Sequence, residues 1–147
     1  MIFQGIDNQT VDFRITNYEF PKISNDEYDD NWLLIYLKVE SKLGNWQTID
    51  PSLTTWEVRE LIDWFNLLLQ NKQPKHINLS FIEPNLSFEL LKNISDTTTF
   101  RIKFDLESKP KSAKNDDEYF VDCLVDKQDL KRIIDELEKE LAKYPER

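Results

Sequence analysis

The residue types that most often perform catalysis or bind metal ions are scarce in this chain of 147 residues. It contains one histidine, His76, and one cysteine, Cys123. Cys123 alternates with Tyr119, Val121 and Val125, which is typical of a small core residue on a strand. His76 stands at the entrance of a predicted strand and is expected at the surface. Because a metal site needs several such ligands, we predict no catalytic, metal-binding or cofactor-binding residue.

Other catalytic motifs are equally hard to place. The chain has only two glycines, Gly5 and Gly44, which argues against glycine-rich phosphate loops and dinucleotide-binding turns. No serine has the flanking glycines of a nucleophile elbow. Acid–base chemistry by paired carboxylates stays open, because 28 Asp and Glu residues always offer some pair. We predict that the protein is not an enzyme, with a carboxylate-based hydrolase as the alternative.

Acidic side chains are abundant, and two clusters of them fall in predicted connections, where binding residues concentrate. The formal net charge is −9. This charge disfavours direct binding of nucleic acid or of an anionic membrane surface, whereas it would steer association with a basic protein. We predict that both clusters contact such a partner; ordinary solvated loops are the alternative. The predicted contact residues are Asp26, Glu27, Asp29, Asp30, Asp116, Asp117 and Glu118.

Hydrophobic periodicity predicts the elements that position these connections. Alternating apolar residues indicate strands over 11–20, 32–41 and 46–49, and residues 50–53 are expected to break the sheet. Thr54 and Glu57 have the spacing of a capping box that begins a helix, and Asp126 caps a second helix. Four more strands are predicted between the helices. The predicted fold is α+β in the order β-β-β-α-β-β-β-β-α: a mainly antiparallel sheet of about six or seven strands, packed by two amphipathic helices.

The overall properties of the chain indicate one domain over residues 1–147, which is a usual length for a single domain. No apolar run approaches the roughly 18 residues of a membrane span, and the first residues do not resemble a signal peptide. A lone cysteine suits a reducing compartment. We therefore expect a cytoplasmic protein, either a monomer or a weak homodimer.

All four tryptophans, Trp32, Trp46, Trp56 and Trp64, lie in the first half of the chain. Trp32 begins a predicted central strand, Trp46 lies on its hairpin partner, and the other two lie on the first helix. We interpret them chiefly as the folding signature of this hairpin–helix unit, since each ring can bury about 150–250 Å². A contact role for one exposed tryptophan is the alternative.

The same stretch contains a series of spaced elements that resembles one known family. The elements are Tyr18-Glu19-Phe20-Pro21, Tyr28-Asp29-Asp30-Asn31-Trp32-Leu33, Gly44-Asn45-Trp46, Asp50-Pro51-Ser52-Leu53-Thr54-Thr55-Trp56-Glu57, Leu61 with Trp64, and Glu83-Pro84-Asn85-Leu86 with Phe88. Together they resemble the WapI family of small immunity proteins, which protect bacteria against their own polymorphic toxins. The resemblance is clearest over residues 13–92, and it departs at Ser52, where a cysteine is common in the family.

The resemblance implies a function without catalysis. Such proteins bind the C-terminal toxin domain of a polymorphic toxin, as in contact-dependent inhibition, and block it by occlusion in the cytoplasm. That domain is often a nuclease. The resemblance implies no particular contact residue. A structural or interaction subunit of another kind is the remaining alternative.

Overall fold

The computed structural model describes residues 1–114 and 116–147, and these residues form eight strands and two α-helices. They follow one another as β1 (Ile2–Gln4), β2 (Thr10–Tyr18), β3 (Trp32–Ser41), β4 (Gly44–Thr54), α1 (Thr55–Leu69), β5 (Asn78–Ser80), β6 (Leu86–Ile94), β7 (Thr97–Phe104), β8 (Tyr119–Asp126) and α2 (Lys127–Ala142). The α+β class and the order of elements are confirmed, with β1 as an additional strand. The strands form two antiparallel sheets, β1-β2-β3-β4 and β5-β6-β7-β8.

Alternation along β3 explains its inner place in the first sheet. Leu33, Ile35, Leu37 and Val39 are buried, whereas Trp32 and the other residues of the opposite face are half-buried or exposed. β3 pairs with β2 on one side and with β4 on the other. A strand flanked on both sides needs an apolar face toward the core and a partly covered outer face, which this pattern supplies.

β4 continues through residues 50–53, so the predicted sheet break at this position is wrong. Leu33 pairs with Leu53 and Leu34 pairs with Pro51, which leaves Ser52 as an extra residue in β4. β4 is an edge strand, and a proline is tolerated at an edge because its missing N–H faces away from the ladder. The irregularity is therefore a β-bulge, which turns the strand locally.

Both helices begin with the side-chain chemistry that the sequence predicts. The Thr54 side chain accepts a hydrogen bond from the Glu57 backbone N–H, and the Glu57 carboxylate accepts one from the Thr54 backbone N–H; Asp126 and Asp129 make the same reciprocal pair. Each helix then places an apolar stripe against the core. The buried residues of α2 are Leu130, Ile133, Ile134, Leu137 and Leu141, as their spacing predicts.

The two sheets and α1 meet at a cluster of phenylalanine rings. The ring of Phe3 in β1 lies 5.9–6.4 Å, centroid to centroid, from Phe13, Phe65, Phe88 and Phe100. All five rings are buried. Nearby, a Cβ on residue 5 would lie 2.5 Å from Cγ1 of Val121 in the second sheet, so the close approach of the sheets here requires glycine.

Candidate protein-binding site

An acidic depression lies where the loops of both sheets converge. It has a volume of about 370 Å³. Its lining consists of five carboxylates, two aromatic side chains and one proline: Glu19, Asp29, Asp50, Glu83, Glu107, Phe20, Trp32 and Pro51. Phe20 is 41% exposed and Trp32 is half-buried. The depression therefore offers apolar ring surface surrounded by negative charge.

Several separate elements position these side chains. Glu19 and Phe20 directly follow β2, Trp32 begins β3, and Asp50 lies in β4 just before the bulge. Glu83 comes from the connection between β5 and β6, while Glu107 lies in a short 3-10 turn, Leu106–Ser108, after β7. The first sheet thus supplies one wall of the depression, and the connections of the second sheet supply the other.

A buried hydrogen-bond network holds the two walls together. Asn85, which is 1% exposed, donates from Nδ2 to the Asp50 carboxylate at 2.9 Å and to Ser52 Oγ at 3.3 Å. The bulge at Ser52 brings that hydroxyl within reach of Asn85. Since Asn85 is two residues after Glu83, this network fixes Glu83 relative to Asp50.

The carboxylates of the depression are not neutralised by cations of the described chain, since none of the five makes an ion pair within 4 Å there. Burial, followed by the charges of Asp29, Asp50 and Glu83, raises the pKa of Glu19. Burial and the charges of Glu107 and Glu83 also raise the pKa of Asp50, against the opposing hydrogen bond from Asn85. These groups repel one another, and a cation placed among them would relieve the repulsion.

The chemistry of the depression fits a cationic side chain. An arginine guanidinium or lysine ammonium can stack on an aromatic ring and pair with surrounding carboxylates at the same time. Metal binding finds no support from geometry: across residues 1–114 and 116–147, no three His, Cys, Asp or Glu side chains are grouped closely enough to hold an ion. His76 is exposed and Cys123 is buried, so the two are not paired.

The first predicted acidic cluster lies on an ordered loop, residues 20–31, which we call the acidic loop. Asp26, Glu27 and Asp29 are exposed, and Asp29 lines the depression. Asp30 differs, because it is 3% exposed and its carboxylate accepts hydrogen bonds from Ser24 N at 2.7 Å, Ser24 Oγ at 3.0 Å and Asn25 N at 3.0 Å. These bonds lower the pKa of Asp30. Asp30 shapes the loop, and its three acidic neighbours face solvent.

The second predicted cluster lies elsewhere. Asp116, Asp117 and Glu118 are exposed, and the last two line a different depression of about 250 Å³. That depression also contains Arg101, Lys103 and Lys109 among its lining residues, so its charge is mixed. The structure therefore does not bring the two predicted clusters into one surface.

Sequence reasoning missed four of the five carboxylates that line the acidic depression: Glu19, Asp50, Glu83 and Glu107. A signal was nevertheless present. Seven of the eight lining residues belong to the spaced elements that carry the family resemblance, and Glu107 is the exception. The tryptophans of these elements indicate a folding signature in the sequence, and in the structure residues of the same elements converge on one surface depression.

The tryptophans divide into different roles. Trp64 is 4% exposed, and its indole donates to the His76 carbonyl at 3.0 Å. The indole of Trp46 donates to the Ser108 carbonyl at 2.8 Å and so ties β4 to the turn that carries Glu107. Trp56 packs edge-to-face against Tyr28 of the acidic loop, with ring centroids 5.4 Å apart. Three tryptophans thus support the fold, and Trp32 lines the depression.

Comparison with known proteins places this chain in the class of immunity proteins. The model of the immunity protein WapI-like family matches residues 1–145. The chain therefore belongs to the WapI-like family of immunity proteins, as its sequence elements indicate. No curated protein and no solved structure matches it. Within the described residues, no helix is both long enough and apolar enough to cross a membrane.

Proposed function

We propose that this protein is a cytoplasmic immunity protein that binds and neutralises the toxic C-terminal domain of a cognate polymorphic toxin, possessing no catalytic activity of its own. Residues 1–147 act as one domain in this proposal. Inhibition occurs by occlusion, so that the bound protein covers a basic surface with which the toxin holds its own substrate. A nuclease toxin fits this proposal best, because nucleases carry basic surfaces for phosphate binding.

The observation that carries the proposal is the unpaired acidic depression. Like charges held together around half-exposed aromatic rings do not stabilise a fold, so their presence calls for a role in binding. Family membership supplies the kind of partner, a protein toxin, and the depression supplies the chemistry of the contact. We assign the depression to a lysine or arginine side chain of the toxin, with Phe20 and Trp32 as its apolar surface.

The two predicted acidic clusters take different parts in this proposal. Asp29 lines the depression, and Asp26 and Glu27, which are exposed on the same loop, extend the contact surface in this proposal. Asp116, Asp117 and Glu118 contribute long-range attraction, which acts mainly on the association rate and weakens as salt screens it. Asp30 serves indirectly by shaping the acidic loop.

The first experiment is growth rescue in a sensitive host. The toxin domain encoded immediately upstream of this gene would be induced with and without this protein. We expect specific rescue and a stable 1:1 complex between the purified proteins. Toxicity without rescue would overturn this pairing, and a complex that leaves the toxin active would overturn inhibition by occlusion.

A charge-matched pair of variants tests the site itself. The first carries Glu19→Gln, Asp50→Asn and Glu83→Gln in the depression. The control carries Glu60→Gln, Asp63→Asn and Asp135→Asn, which are exposed positions on the two helices. Both change the net charge by the same three units, so the comparison separates the position of the charges from their number. We expect the first variant to weaken toxin binding at least 100-fold, as for buried charge pairs at interfaces, and the control to change it less than threefold. Equal effects would show that only overall charge matters.

A further inference from the structure

The acidic loop is fixed by residues that are more than 110 positions away in the sequence. We infer that residues 144–147, which follow α2 and which we call the clamp, are a positioning device that holds the acidic loop in its binding shape. The inference rests on the proposed function only for the identity of the bound partner, since the contacts themselves belong to this chain.

Arg147 is the centre of the clamp. Its guanidinium donates to the carbonyl oxygens of Phe20 at 2.7 Å and Pro21 at 3.2 Å, and its Nε donates to the carbonyl of Asp30 at 2.9 Å. The guanidinium carbon also lies 3.6 Å from the centre of the Tyr18 ring. One side chain thus ties both ends of the loop to each other and to the end of β2. A planar guanidinium with several donors suits this role better than an ammonium group.

Asn31 completes the attachment from the other side. It is fully buried, and its side-chain oxygen accepts hydrogen bonds from Thr55 Oγ1 at 2.9 Å and Arg147 N at 2.9 Å. Its side-chain nitrogen donates to the carbonyls of Glu27 and Arg147, each at 2.8 Å. Every hydrogen-bonding capacity of this amide is therefore used, and it joins the loop, the start of α1 and the clamp.

Two further residues anchor the clamp to β2. Tyr144 donates from its hydroxyl to the Thr16 carbonyl at 2.7 Å, and its ring packs edge-to-face on Tyr18 at 5.5 Å. Tyr18 in turn donates from its hydroxyl to the carbonyl of Pro145. The clamp is consequently a fixed part of the fold, and it gives Arg147 a defined position from which to hold the loop.

The consequence for binding is preorganisation. The large apolar side chains of the acidic loop, Phe20, Ile23 and Tyr28, are each at least 41% exposed, so the loop has little apolar burial of its own to order it. A loop that is ordered before binding does not lose that conformational freedom in the complex. The clamp therefore sets how well Asp29 and the depression present their charges, although Arg147 itself need not touch the partner.

The test compares Arg147→Ala with Arg147→Lys and with the control Arg132→Ala. Arg132 lies on α2, where its partners are Glu136 and the Ile2 carbonyl rather than residues of the clamp or of the acidic loop. The first measurement, amide hydrogen exchange of residues 20–31, needs no toxin. We expect exchange at least tenfold faster in Arg147→Ala, which corresponds to a fall of about 1.4 kcal/mol in the free energy of local opening. Arg147→Lys should show a large part of the same increase. Arg132→Ala should leave these amides unchanged.

The second measurement is affinity for the cognate toxin domain. Both alanine variants make the chain more negative by one unit, so attraction of a basic partner alone would leave binding unchanged or improve it. The clamp predicts the opposite for Arg147→Ala, a loss of at least tenfold, with no loss for Arg132→Ala. Unchanged exchange in Arg147→Ala would overturn the clamp. Faster exchange with unchanged affinity would overturn the role of the clamp in binding. If the wild-type protein does not bind the toxin domain, that result counts against the proposed function, and the exchange measurement still tests whether the clamp orders the loop.

Discussion

Glu57 is a buried carboxylate that joins α1 to the segment carrying Glu83, and its replacement is our most detailed prediction. Glu57 is 3% exposed. One oxygen accepts hydrogen bonds from Thr54 N at 2.8 Å and Thr54 Oγ1 at 3.0 Å, and the other accepts from Ile82 N at 2.6 Å. The capping box therefore reaches beyond its own helix. It fixes the backbone of the residue next to Glu83, and with it one wall of the acidic depression.

The magnitude follows from these three bonds. Glu57→Ala leaves the N–H groups of Thr54 and Ile82 without their acceptor. An unsatisfied buried donor such as the Thr54 N–H costs about 1–3 kcal/mol, and the Ile82 N–H costs less because Ile82 is 53% exposed. Adding about 1 kcal/mol for the lost cap, we expect the free energy of unfolding to fall by about 2–4 kcal/mol. Glu57→Gln keeps the shape, but its amide has one acceptor oxygen and one donor nitrogen, so one N–H would face another donor. We expect about 2 kcal/mol for this variant.

Urea unfolding followed by tryptophan fluorescence measures both values, with the slope expected to stay constant while the midpoint falls. Glu60→Ala serves as the control, because Glu60 is exposed on the same helix, and such surface changes lie within about 0.5 kcal/mol. A loss below about 1 kcal/mol in Glu57→Ala would refute the reasoning. An equal loss in both Glu57 variants would show that the shape of the side chain matters less than its charge.

Three further predictions concern Gly5, Asp50 and Cys123. Gly5→Ala places a methyl group against Val121, so thermal unfolding should show a loss of about 1–3 kcal/mol. The pKa values of Asp50 and Glu19 are raised in the folded state, so both bind protons more tightly folded than unfolded. Above these raised pKa values the carboxylates are charged, and their repulsion destabilises the fold. This destabilisation is lost as the pH falls toward the ordinary carboxyl pKa values. Asp50→Asn should therefore be more stable than wild type at pH 7, with the difference shrinking on acidification in urea titrations; an unchanged difference would refute this. Burial raises the pKa of Cys123 to about 12, so a disulfide reagent at pH 8 should label it only after unfolding.

Sequence alone predicts the helices because their starts depend on local chemistry. The bonding groups of each capping box, Thr54 with Glu57 and Asp126 with Asp129, lie within four residues. The strands with clear alternation are equally accessible. β1 escaped prediction because three residues are too short for a period-two pattern, and its pairing with β2 is what makes it a strand. The continuation of β4 through Pro51 was not predicted because a proline is tolerated only in an edge strand, and the sequence does not show which strand lies at the edge.

The acidic depression could not be predicted from local spacing. Glu19, Asp50, Glu83 and Glu107 are each separated by more than 20 residues, and the two sheets must pack before they meet. Dense clusters such as Asp26, Glu27 and Asp29 attract attention in a sequence, whereas isolated acids do not. These acids form one depression only because the structure holds them together, through the bulge at Ser52 and its hydrogen bond with Asn85.

The assembly of the depression from separate connections has a consequence for how such a protein changes over generations. Glu83 and Glu107 are exposed loop residues outside the core, as is Asp29. In the proposed complex, a single substitution at any of them would alter one contact while the phenylalanine cluster and both capping boxes stay intact. Under the proposed function, recognition could therefore change stepwise, one wall of the depression at a time, as the toxin changes. The same fold could therefore bind a succession of different partners without a substitution that unfolds it.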